Sequence, residues 1–269
     1  MKALEKLVDA NSQNKFICVG LDTDLKKLPE AVLSESNPIL VFNKRIIEAT
    51  KEFAAAYKLN FAFYEAEGFD GIKTLEKTLE LIPDHILTIG DAKRGDIGNT
   101  SEMYAKSIFK IFGFDSITLN PYMGYDSVKP FLEYDNKMNF ILALTSNSGA
   151  DDFEKLKLID GNYLYQKVIG SVKKWNEKNN CGIVFGATKI DDLKENMKLI
   201  GDLPVLLPGV GAQGGSLEEV VLTFKSVKRK NYLVNISRGI LYKDSSVQFD
   251  ITARKEIENL NLSVKNILS

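Results

Sequence analysis

The sequence predicts an α/β chain that folds as a single (β/α)8 barrel over residues 1–269, with a short helical lead-in at its N-terminus. Three observations predict it. Short apolar runs recur eight times along the chain. Most end in a polar or glycine-rich tip and pass into an amphipathic stretch, which is the alternation of parallel βα units. No Pro- or Ser-rich linker interrupts the pattern, and the length of 269 residues suits an eightfold barrel of roughly 250. An open doubly wound sheet shares the alternation, but eight units in about 240 residues favour closure.

The elements are read in chain order. In MKALEKLVDANSQNKF, Leu4, Leu7 and Val8 follow helical spacing and form the lead-in. Lys2, Glu5, Lys6 and Asp9 leave that stretch without the apolar centre of a signal peptide, so a cytoplasmic location is expected. Strands are expected in 16–22 (FICVGLD), 54–60 (AAAYKLN), 86–93 (ILTIGDAK) and 116–120 (SITLN). Four more are expected in 140–145 (FILALT), 182–188 (GIVFGAT), 205–211 (VLLPGVG) and 232–239 (YLVNISRG). Continuous apolar runs of this kind suit strands buried on both faces. Helices are expected in 40–53, 71–82, 99–112 and 216–228. Asn99 or Thr100 could cap the third of these, with Glu102 in its first turn. Ser216 could cap the fourth, with Glu218 and Glu219 beside its positive end. Trp175 reads as a half-buried helix residue, and Phe61, Phe63 and Tyr64 as packing residues of a loop or an interface.

Composition excludes several functions. The chain has 35 basic and 36 acidic side chains and a formal net charge of -1, which argues against a nucleic-acid binder. No apolar run approaches the roughly 18 residues of a membrane span. His85 is the one histidine, so a site needing two is ruled out. Cys18 and Cys181 form no CxxC pair and read as buried thiols of a reducing compartment. His85 precedes the third predicted strand, at the end opposite the expected catalytic face. Chemistry must then come from Lys and Asp.

Polar residues cluster where the strands end. Asp22, Lys58, Asn60, Asp91, Lys93, Asn120, Thr145 and Arg238 all close predicted strands, and in a barrel those ends converge on one face. The densest group is DAKRGDI (91–97). Asp91 and Lys93 are two apart at a strand end and point the same way, into the mouth. A lysine between carboxylates stays protonated and serves as a positioned acid. Asp96 can reach the same region or that of a neighbouring subunit. PGVGAQGG (208–215) and Ser237-Arg238-Gly239 follow the seventh and eighth strands, where barrels commonly bind phosphate. Arg238 can fork onto phosphate oxygens. The glycines do not follow the GxGxxG pattern of a dinucleotide fold.

These pieces together resemble the orotidine 5′-phosphate decarboxylases. The resemblance runs through CVGLDTD (18–24), YKLNFAFYE (57–65), DAKRGDIGNTS (91–101), TLNPYMG (118–124), LTSNSGA (144–150), LPGVGAQGG (207–215) and NISRGI (235–240). The chain length and the TSNSGA loop are similar to the longer, second bacterial-type subfamily and to apicomplexan enzymes. The resemblance implies decarboxylation of orotidine 5′-monophosphate (OMP) to UMP, the last step of de novo pyrimidine nucleotide synthesis, with no cofactor and no metal. It implies a catalytic array of Lys58, Asp91, Lys93 and Asp96, with Lys93 stabilising the carbanion and donating the proton to C6. Asp96, Ile97 and Thr100 would enter the partner's site in a homodimer. Asp22, Lys58 and Asn60 would hold the ribose. Thr145 or Ser146 would read the pyrimidine, beside Pro208. Gln213, Gly214, Gly215, Arg238 and Gly239 would hold the phosphate. Two other readings remain: a Mg²⁺-dependent sugar-phosphate decarboxylase or aldolase that shares the DxKxxD strand end, and a non-catalytic nucleotide-sensing barrel.

Overall fold

The structure, a computed structural model, describes residues 1–211 and 213–269; Ala212, inside the glycine-rich loop, lies outside the described residues. Helix α1 (Ala3–Ser12) leads into β1 (Ile17–Gly20), and α2 (Glu30–Leu33) and α3 (Pro38–Thr50) return the chain to β2 (Ala56–Asn60). Helices α4 (Phe61–Glu65) and α5 (Gly68–Glu80) precede β3 (Leu87–Arg94). Helix α6 (Gly98–Lys106), continued by a π-type segment over Ser107–Phe112, precedes β4 (Ser116–Leu119). Helix α7 (Tyr125–Leu132) precedes β5 (Met138–Leu144), and α8 (Ala150–Phe153) and α9 (Leu164–Trp175) precede β6 (Cys181–Phe185). Helix α10 (Ile190–Ile200) precedes β7 (Val205–Pro208), and α11 (Leu217–Ser226) precedes β8 (Tyr232–Ile236). The short α12 (Arg238–Leu241) and the long α13 (Phe249–Leu268) complete the chain. All neighbouring strands pair in parallel, and β8 pairs with β1, so the sheet closes in chain order.

Closure explains why the strand sequences are predominantly apolar on both faces. Val19, Tyr57, Leu59, Ile117, Ile141, Phe185, Val205 and Val234 face the helices. Their alternates Cys18, Ala56, Leu87, Ile89, Met138, Phe140, Val184, Leu206 and Leu233 fill the interior of the barrel. Truncating Phe140, fully buried in that interior, to Ala would cost about 3–5 kcal/mol. Ala3 and Leu7 of α1 join the interior cluster from the N-terminal ends of the strands and close that end.

Several local expectations change. In α1 the buried row is Ala3, Leu7 and Asn11, whereas Val8 is exposed. Lys6 shares the inner face because its Nζ reaches Asp115 Oδ2 at 2.8 Å, and Asp115 also accepts from Thr88 N and Oγ1. A buried ion pair thus occupies a place where apolar periodicity expects a hydrocarbon. Asn99 and Thr100 do not cap α6; they lie within its first turn, after an extended Ile97 with no side-chain cap. Ser216 does cap α11, accepting from Glu219 N. The first, sixth, seventh and eighth strands end two or three residues early, since Ser237-Arg238 already turns into α12 and Pro208 into the loop. Trp175 is half-buried at the end of α9, and Phe61 and Tyr64 are buried on α4.

Candidate active site

The C-terminal ends of the strands enclose a cavity of about 480 Å³. Strand alternation decides which side chains reach it. Ala56 belongs to the interior cluster, so Lys58 and Asn60, two and four residues on, face the mouth. Asp91 continues the inward row of Leu87 and Ile89 in the same way.

Lys58, only 4% exposed, donates from Nζ to Asp91 Oδ2 at 2.8 Å and to Asp22 Oδ1 at 3.1 Å. Lys93 Nζ donates to Asp91 Oδ1 at 2.6 Å. Thr118 Oγ1 donates to the same oxygen at 2.9 Å and accepts from Lys93 N at 3.0 Å. Burial by itself would discharge Lys58, but Asp91 and Asp22 more than reverse it and hold the ammonium above the ordinary lysine range. Burial likewise raises Asp91, and Lys58 with Lys93 overturns that and keeps the carboxylate well below its usual range. Anion and cation therefore fix one another in the charged state.

Lys93 reaches the mouth by a route that spacing alone does not predict. The pairing of β3 with β4 shifts register between Gly90 and Arg94, and Lys93 takes a left-handed backbone with φ of 46°. For a residue with a Cβ this conformation costs about 1–2 kcal/mol. The Thr118 hydroxyl holds the strained peptide, and the side chain is left half exposed at the cavity.

The remaining predicted residues are distributed unevenly. Asn60 lines the cavity while its Oδ1 accepts from Ala62 N and caps α4. Asp96, beyond β3, accepts from its neighbour Ile97 N and takes no part in the ion pairs around Asp91. Ile97 and Thr100 are exposed beside it. Thr145, Ser146, Pro208, Gln213, Arg238 and Gly239 all line the cavity. Gly186 lets the loop after β5 approach, since a Cβ there would stand 2.7 Å from Ser146 N. Ser146 Oγ donates to Gln213 Oε1 at 2.8 Å and joins that loop to the one after β7. Gly209, with φ of 102°, turns the chain out of β7 beneath this contact. Gly214 and Gly215 depart from expectation. Their amides donate to Gly211 O and Gly209 O inside the loop, and neither residue lines the cavity. Those N–H groups close the turn in this structure.

The sequence reading gave no role to the side chains of Thr118 and Asn235, nor to that of Ser237 within the Ser237-Arg238-Gly239 segment. Asn235 Oδ1 and Ser237 Oγ are buried at the cavity with no hydrogen-bond partner among the described residues. Their signal was the polar alternation after Leu233, which the apolar run masked. Tyr242, also on the wall, accepts from Asp24 N and donates to Asp22 O, bracing the end of the first strand. Among the described residues no group of three or more His, Cys, Asp or Glu is placed to hold a metal ion, and no helix is long and apolar enough to cross a membrane.

Comparison with known proteins agrees with this arrangement. The sequence profile of the "Orotidine 5'-phosphate decarboxylase / HUMPS family" matches residues 15–248. The orotidine 5'-phosphate decarboxylase of Christiangramia forsetii is 54% identical over 241 residues, covering 88% of each chain. That of Porphyromonas gingivalis is 47% identical over 248 residues, covering 91% of this chain and 89% of its own. The solved structure of Leishmania donovani OMP decarboxylase superposes with a TM-score of 0.83 at 33% identity, covering 98% of this chain and 99% of its own.

Proposed function

The chain belongs to the orotidine 5′-phosphate decarboxylase / HUMPS family, and from that premise we propose how its own residues carry the reaction. The chain is a carboxy-lyase that converts OMP to UMP in pyrimidine synthesis. Cleavage of the C6–carboxylate bond leaves an electron pair at C6, in the ring plane, where π delocalisation helps little. Fixed positive charge is then the effective stabiliser. Lys93 supplies it and afterwards gives C6 a proton, and its half-exposed ammonium is recharged from solvent.

Asp91 faces the departing carboxylate and favours its loss. Lys58 keeps Asp91 ionised and in place, while Thr118 sets the peptide of Lys93. Asp22, Lys58 and Asn60 hold the ribose hydroxyls. Arg238, Gly239 and Gln213 take the phosphate, whose binding energy draws the loop after β7 over the mouth and excludes water. Asp96, Ile97 and Thr100, standing clear of their own chain's ion pairs, complete the site of a partner in a homodimer. Residues 1–269 act as one catalytic unit in the cytoplasm.

The observation that carries this reading is the Lys58–Asp91–Lys93 chain of ion pairs at the floor of the mouth. Its test is the absorbance change of OMP for wild type and Lys93→Ala, each with and without EDTA. Wild type should turn over equally in both buffers, and Lys93→Ala should lose turnover while still binding UMP. Wild-type-like turnover in the variant would sink the role given to Lys93. Loss of rate in EDTA would favour the Mg²⁺-dependent sugar-phosphate chemistry instead.

A further inference from the structure

We propose that Arg94 is a positioning residue, clamped between α4 and α6, that pins the outer end of the β3 bulge and so holds the Lys93 ammonium at C6. The proposal rests on the reading above that Lys93 serves the reacting carbon. Arg94 is the charged residue of DAKRGD to which that reading gives no part.

The bulge has two ends. Strand β3 pairs with β4 at Gly90 and Ile117 and resumes at Arg94 and Leu119, so four positions on β3 span two on β4. The surplus is taken up between them, where Lys93 is left-handed. Both ends rest on one ring. A Cβ at Gly90 would stand 3.3 Å from Phe61 Cε2, so the bare backbone there lets the ring lie close to the strand. At the other end the Arg94 guanidinium stands over the same Phe61 ring at 5.5 Å and over Tyr104 of α6 at 5.2 Å. Its Nη2 donates to Glu65 Oε1 at 2.6 Å. Phe61 and Glu65 are four apart on α4 and so share a face. The Arg94 carbonyl accepts from Asn120 N at 2.9 Å.

These contacts set Arg94 apart from an ordinary surface pair. An exposed ion pair contributes little by itself, because two long side chains must be held still. Here two rings within about 6 Å attract the planar cation, and Glu65 takes its edge. Phe61 is itself fixed, 3% exposed and edge-on to Phe112. The clamp is therefore anchored in the core. A left-handed residue with a Cβ persists where its surroundings over-determine it. Thr118 holds the amide of Lys93 from within the barrel, and Arg94 holds the next residue from the helix side.

The test measures kcat with OMP and the dissociation constant of UMP in wild type, Arg94→Met, Glu65→Leu, the double variant and Lys178→Met. Methionine keeps much of the stem but neither the charge nor the plane. Lys178→Met breaks an exposed pair with Glu133 elsewhere on the surface. UMP is held at ribose and phosphate, so a shift of Lys93 should be felt in the chemical step alone. Arg94→Met should lower kcat about tenfold, as for a displacement short of 1 Å, and leave UMP binding within about twofold. Glu65→Leu should lower kcat in the same direction, and the double variant should fall no further than Arg94→Met. Lys178→Met should match wild type. Four results overturn the proposal: wild-type kcat in either single variant, equal losses of kcat and UMP affinity, losses that multiply in the double variant, or the same loss in Lys178→Met. Undiminished turnover in Lys93→Ala would instead overturn the reading on which it rests.

Discussion

Thr118→Val removes one oxygen and keeps the shape of the side chain. Thr118 is 2% exposed, so its volume is already accommodated and no cavity forms. Two bonds disappear, the donation to Asp91 Oδ1 and the acceptance from Lys93 N. The first is to a charged group and the second leaves a strained amide without a partner, so the loss should be about 3 kcal/mol. For a chain of this size that is a fall of about 6–12 °C in Tm. The effect on rate has a separate cause. Without the hydroxyl the left-handed peptide at Lys93 loses the bond from its amide, and the ammonium should shift from C6. A displacement near 1 Å costs about 100-fold in kcat/KM. Urea unfolding and initial rates with OMP measure the two effects independently, and Thr118→Ser should recover most of both. Wild-type stability and wild-type rates in Thr118→Val would refute the claim that this hydroxyl organises the array.

Arg238→Ala should weaken UMP far more than uridine, read as inhibition constants; equal losses would place the phosphate elsewhere. The ion-pair array should make a constant contribution to stability between about pH 5 and about pH 9. Asp91 is depressed, so its contribution is complete above the unfolded carboxylate pKa and fades as pH falls toward its lower folded value. Lys58 is raised, so its contribution is complete below the unfolded lysine pKa and fades as pH climbs toward its higher folded value. The stability gap between wild type and Asp91→Asn should be level across that window and narrow below about pH 4; a slope near neutrality would contradict the assignment. Burial pushes both thiols up to about 12, with Lys58 partly opposing it at Cys18. Iodoacetamide at about pH 8 should therefore label neither cysteine in the native protein and both in urea, read by mass.

The strands and the mouth were legible because they follow a period. A run such as Ile86-Leu87-Thr88-Ile89 has no other economical reading, and the polar residue that ends each run marks the face. What escaped was set by contacts distant in sequence. Thr118 matters through Asp91 and Lys93, more than twenty positions away, and the motif TLNPYMG that contains it does not show that bond. Lys6 breaks the apolar stripe of α1 because Asp115 waits beneath it. That the amides of Gly214 and Gly215 donate to Gly211 O and Gly209 O was not legible either, because composition does not show how a turn bonds to itself. Asn235 and Ser237 were hidden by Val234 and Ile236, since a strand buried on both faces reads as apolar throughout.

The sealed far end of the barrel has a consequence for traffic. Ala3 and Leu7 lodge among Phe140, Met138 and Leu233, so among the described residues the interior is filled with side chains at that end. The cavity at the mouth is therefore the way in and out that the fold provides. The Ser146–Gln213 contact stands at that mouth and joins the loops after β5 and β7. A helix at one pole of the barrel thus leaves substrate and products to share the entrance at the other.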